Sequence, residues 1–212
     1  MDFGFWIADL WRLEKNVLIF AKQVIIRYPQ PPIQNFLRDS VEQNPMSSSL
    51  PQITVLGIGN ILLKDEGVGV RVIERLLSAY HFPENVAVYD GGVTGLMGLL
   101  PIIEDTDHLI VVDAIRGDGP PGTLYRYPLS EFRLRLPKKL SMHDVGFVEC
   151  LTVSELNGKL PKSTVVVGVQ PEDFSTLEMG LTDTVQKTVT PLVEMVLKEL
   201  AILGVSLAAR NS

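Results

Sequence analysis

Glu66, Asp90, Asp113 and His143 are the residues whose types and placement could carry chemistry. Each acid follows or closes a short apolar run. Glu66 comes just after Ile53–Ile58, Asp90 closes a run at 86–89, and Asp113 closes a run at 109–112. If these runs are parallel strands, all three acids fall at the carboxyl edge of one sheet, where open α/β sheets bind ligands. One such acid alone is ordinarily loop solvation or a helix cap. Three together make a converging acidic edge. His143 lies in Ser141-Met142-His143-Asp144, at a helix start after a loop. A residue there can reach the strand ends or face solvent, and its type leaves both open. Carboxylates and an imidazole at one edge suit a divalent transition metal with open coordination positions for water or a substrate ligand.

The elements that must position these residues alternate. Apolar runs at 53–58, 86–89, 109–112 and 164–169 read as strands, the first ending in glycines as a strand buried on both faces does. A further strand over 123–127, closed by Pro128, has the character of an edge. Helices are expected over 66–80, near 95–101, over 144–157 closed by Gly158, and over 182–203 with Thr182 as N-cap and Gly204 as stop. This alternation predicts an α/β fold in three layers: a mostly parallel twisted sheet with helices on both faces.

The segment Val55-Leu56-Gly57-Ile58-Gly59-Asn60-Ile61-Leu62 also has the layout of a phosphate loop. The resemblance is partial. Leu62 stands where a third glycine belongs, and the Walker lysine pattern is absent. An acid at the helix start, Glu66, repels a pyrophosphate. A nucleotide- or small-molecule-binding α/β module is the alternative reading. The sequence has no HExxH pair and no GxSxG elbow.

Bulk properties narrow the classes. The 212-residue chain carries a net charge of −6, which argues against nucleic acid as the main partner. Cys150 is the one cysteine, so an internal disulfide and a cysteine-zinc cluster are both excluded. A reducing cytoplasm is the expected setting, and Cys150 reads as a buried helix residue. Of the remaining histidines, His81 follows a helix and His108 stands at a strand entrance, the edge opposite the acids. Both read as structural.

Residues 1–50 read as an N-terminal extension, and residues 51–212 as a single α/β domain. Trp6, Leu10, Leu13, Val17, Ala21 and Val24 give 5–27 the spacing of an amphipathic helix. Asp9, Arg12, Glu14, Lys15 and Lys22 break it too often for a membrane span. A surface anchor is one reading. An optional extension, with Met46 as an alternative start, is preferred, so membrane contact through residues 1–27 is not favoured.

Several motifs together resemble one family. The stretch Gly57-Ile58-Gly59-Asn60-Ile61-Leu62-Leu63-Lys64-Asp65-Glu66-Gly67-Val68-Gly69 is similar to the opening motif of the hydrogenase maturation endopeptidases. Asp90-Gly91-Gly92-Val93-Thr94-Gly95, His108-Leu109-Ile110-Val111-Val112-Asp113-Ala114-Ile115, Ser141-Met142-His143-Asp144-Val145-Gly146 and Val167-Gly168-Val169-Gln170-Pro171-Glu172 resemble its later motifs, in order. The resemblance implies removal of a C-terminal peptide from the large-subunit precursor of a nickel–iron hydrogenase, after nickel insertion. It further implies that Glu66, Asp113 and His143 read the substrate-borne nickel, with Asp90 as a further acid of less defined role. The nickel is then carried by the substrate and not held tightly by the resting enzyme.

Overall fold

A computed structural model of the chain describes residues 50–135 and 142–210, without the side chains at 96–97 and 142–145. The expected helix at 5–27 and the bridge after it lie outside the described residues. Strand β1, Ile53–Ile58, is buried at all six positions, as a central strand requires. It pairs in parallel with β3, Val86–Gly92, on one side and β4, His108–Ala114, on the other. Strand β4 pairs in parallel with β6, Ser163–Val169. The edge strand β5, Leu124–Pro128, closes the sheet antiparallel to β6, giving the order β3-β1-β4-β6-β5.

Side chains of each strand alternate between two cores. Ile53 and Val55 of β1, with Ile110 and Val112 of β4, face helices α1, Val68–Ala79, and α6, Val189–Ile202. Leu56 and Ile58, with Leu109 and Val111, face α2, Leu96–Glu104, α3, Leu129–Arg135, and α4, Met142–Leu156. These are the three layers read from the pattern. The guanidinium of Arg126 on β5 forks onto Glu199 of α6, with Nη2 at 2.9 Å from Oε2, and ties the edge strand down.

Several details differ from the sequence expectation. The helix expected from 66 begins as a 3-10 turn, Lys64–Gly67, and becomes α-helical only at Val68. At its far end the chain extends into a two-residue strand, β2, Tyr80–His81, paired with β7, Ala208–Ala209, so His81 is an exposed strand residue. The helix expected over 182–203 is two pieces, α5, Asp183–Gln186, and α6. Pro191 has no N–H to continue a helix from residue 187, and it is tolerated only in a first turn. Helix α3 follows Pro128 directly and was not anticipated, and α2 runs past Pro101 to Glu104.

Helix α1 approaches the sheet through Gly69. A Cβ there would lie 2.2 Å from the Ile58 carbonyl oxygen and 2.3 Å from that of Val112. Backbone cannot yield as a side chain end can. Gly69→Ala should therefore lower stability by about 3 kcal/mol in thermal or urea unfolding. Gly95→Ala, with open space around it, should change stability by less than about 0.5 kcal/mol.

Candidate active site

From β1 the chain crosses by α1 to β3, then by α2 back over β1 to β4. The direction of winding therefore reverses between β1 and β4. Such a reversal opens a crevice outside the carboxyl ends of those two strands. Glu66 lies on the turn after β1, and Asp113 near the carboxyl end of β4.

Glycines bring the segment that carries Glu66 onto the ends of β1 and β4. Gly59 has φ +134°, and a Cβ on it would sit 1.7 Å from the Glu66 carbonyl oxygen. Gly69, three residues after Glu66, rests on the carbonyl of Val112, the residue before Asp113. The turn that carries Glu66 is thus in backbone contact with both strand ends. The space left by the missing Cβ of Gly59 is filled by this chain's own carbonyl, not left for a phosphate. That removes the physical basis of the nucleotide reading of this loop.

Glu66 is 8% exposed and Asp113 4% exposed. Asp113 Oδ1 accepts the N–H of Ala114 at 2.7 Å. Asp90 is exposed and lies on β3, across β1 from β4. Gly57 is in register with both Asp90 and Val112, so Asp90 and Asp113 stand two strand spacings apart, roughly 10 Å. His143 falls in the first turn of α4, and its side chain is outside the described residues. Among the described residues no three His, Cys, Asp or Glu side chains are grouped to hold an ion.

Sequence reasoning passed over Asp65, the neighbour of Glu66. Its carboxylate is fully buried. Oδ2 accepts the N–H groups of Glu172 and Asp173, both at 2.9 Å, and the hydroxyl of Thr182 at 3.0 Å. Oδ1 accepts the N–H of Thr182 at 2.7 Å. In return, the Asp65 N–H donates to the Asp173 carbonyl and the Lys64 N–H to that of Glu178. One carboxylate therefore fixes the loop after β6 onto the turn that presents Glu66. Its partners lie more than a hundred residues away in sequence, and no local pattern signals them.

The loop is also held from within. Asp173 Oδ1 accepts the N–H groups of Ser175 and Thr176. Hydrogen bonds from Thr176 and Ser175 hold the Asp173 carboxyl down at about 2. Lys64 Nζ lies 3.1 Å from Glu178 Oε2, and that bond raises the lysine pKa. On the other side, the Arg116 guanidinium sits 5.0 Å above the Phe174 ring.

The remaining candidates fall away from the crevice. His108 opens β4 at the opposite edge, where Nδ1 is 2.8 Å from Ser163 Oγ. Cys150 is buried on α4, and burial pushes its thiol up to about 11, so it is no thiolate nucleophile. Both match the structural roles read from sequence.

Comparison with known proteins identifies the family. The family model for hydrogenase maturation protease (HycI) matches residues 70–199. The chain belongs to the hydrogenase maturation proteases. It is 40% identical to the hydrogenase expression/formation protein HupD of Bradyrhizobium diazoefficiens, over 79% of this chain and 88% of that one. It is 39% identical to the hydrogenase 2 maturation protease of Escherichia coli, over 76% of this chain and 98% of the relative. The solved hydrogenase maturating endopeptidase HybD from E. coli superposes with a TM-score of 0.71 at 39% identity, covering 75% of this chain and 98% of that one. The family makes the protein an endopeptidase, and the fold read from sequence is the fold of its relatives. Among the described residues, no helix is long and apolar enough to cross a membrane.

Two outcomes follow from the Asp65 network. Asp65→Ala strands three backbone N–H groups and one hydroxyl, and should cost at least about 3 kcal/mol in chemical unfolding. The Asp173 carboxyl, depressed to about 2, stabilises the loop at pH values above its unfolded pKa of roughly 4. That contribution is lost as pH falls from there toward 2. A carboxyl-carbon NMR titration should place the Asp173 midpoint near 2.

Proposed function

We propose that this endopeptidase removes the C-terminal peptide of a nickel–iron hydrogenase large-subunit precursor, and that it reads nickel carried by that precursor. The observation that carries the reading is the backbone contact that sets the Glu66 turn on the strand end bearing Asp113. Both carboxylates are buried there, yet a ligand site at the sheet edge is where this topology provides one. Maturation proteases among the relatives, such as that of hydrogenase 2, carry their substrate in their name.

Nickel(II) is of borderline hardness and accepts carboxylate and imidazole alongside thiolate. Glu66, Asp113 and His143 are the proposed ligands. A substrate nickel already holding thiolates offers only its open positions. Protease donors that fill them fix the precursor, and the scissile bond beside the metal is then held in place. This is catalysis by positioning, with recognition built into the same contacts. Water attacks the peptide carbonyl, polarised by the metal or deprotonated by a carboxylate of the edge. Asp90, exposed across β1, is a water-accessible carboxylate for that proton. With so few protein donors, and two of them buried acids, the free enzyme holds nickel weakly. A cytoplasmic setting fits an enzyme whose lone cysteine is a free, buried thiol.

Glu66→Ala and His143→Ala should each keep the wild-type circular dichroism spectrum and lower the cleavage rate of nickel-loaded precursor by at least about a hundredfold. Mass spectrometry of the precursor C-terminus reads the result directly. Wild-type cleavage by either variant would remove that residue from the site.

A further inference from the structure

The loop that Asp65 fastens beside the site is unusual in what it exposes. Phe174, Leu177 and Met179 are 39%, 78% and 64% exposed, all within one short stretch without helix or strand. Leu62, 49% exposed, belongs to the neighbouring segment, because Leu63 forms a parallel bridge to Glu178. Four large exposed apolar side chains therefore lie on two segments joined by backbone hydrogen bonds. Folding does not require them: they add little to either core. A solvated loop would ordinarily carry polar residues and be free to move.

This loop is instead tied at several points. Asp65 accepts from Glu172, Asp173 and Thr182, Lys64 pairs with Glu178, Asp173 caps its own turn, and Arg116 lies over Phe174. Asp65 adjoins Glu66, and Arg116 follows Asp113 by three residues. The apolar ledge is thus fixed in position relative to the two carboxylates of the site. Apolar groups on a preorganised support bind a partner without a further ordering cost, and a contiguous exposed apolar patch marks an interaction surface.

We infer that the ledge of Leu62, Phe174, Leu177 and Met179 docks an apolar surface of the folded precursor next to the bond to be cut. The inference rests on the proposed cleavage of that precursor. The occupant follows from continuity with the site. A macromolecular substrate whose bond lies at the Glu66–Asp113 edge must overlie the loop fastened to that edge. Recognition is then divided: the acidic edge reads the metal, and the ledge reads the protein around it.

The test separates binding from cleavage. Leu177→Asp/Met179→Asp and Phe174→Ala change exposed side chains, so the fold is retained. Each is assayed on nickel-loaded precursor, with Ile202→Asp as control; Ile202 is exposed at the C-terminal end of α6. The double variant should raise KM by about tenfold or more with kcat changed less than about twofold, and Phe174→Ala should raise KM severalfold. In a Glu66→Ala background, where cutting is slow, the same double change should weaken precursor binding by about tenfold. Ile202→Asp should match wild type. Wild-type KM and affinity in both ledge variants, with normal cleavage by the unaltered enzyme, would overturn the docking surface alone. Failure of the unaltered enzyme to cut the precursor would remove the cleavage reading, and the ledge's role with it.

Discussion

Backbone rests on backbone where the first helix begins, and the site depends on that contact. Gly59 accepts the Glu66 carbonyl into the space of a side chain, and Gly69 lies against the carbonyls of Ile58 and Val112. No other residue type permits either approach. Through them a turn that would otherwise stand off the sheet folds down across the ends of β1 and β4. Two acids from separate parts of the sequence are then buried at the same strand ends. Asp113 is oriented there by the N–H of Ala114, which its Oδ1 accepts.

Asp65 extends the same logic outward. A buried carboxylate that accepts four hydrogen bonds is satisfied, and it makes the loop after β6 part of the turn that holds Glu66. The adjacent residues divide the work. Asp65 turns inward and organises backbone, while Glu66 belongs to the crevice. The loop, in consequence, is a rigid border of the site rather than a loose connection.

The layered fold was legible because its signals are local. The central parallel strands β1, β4 and β6, buried along most of their length, are written as apolar runs, and Pro128 marks the edge strand β5. The acids at 66, 90 and 113 were legible as strand-end residues, since position after an apolar run is visible in one dimension. What was not legible depends on distance in sequence. Asp65 looked like one more loop acid because its partners, Glu172, Asp173 and Thr182, meet it only in the folded chain. The break between α5 and α6 is written in Pro191, which the cap signals at Thr182 and Gly204 do not reveal. The short strand Tyr80–His81 exists only through its pairing with Ala208–Ala209, which no local pattern could show.

The central claim is that the enzyme cuts only what carries the metal. The direct measurement is parallel incubation of the protease with nickel-loaded and nickel-free large-subunit precursor, followed by intact-mass analysis. Loss of the C-terminal peptide from the nickel-loaded precursor alone is the predicted result. Equal loss from both would contradict it, because a site that reads substrate nickel cannot treat the two alike.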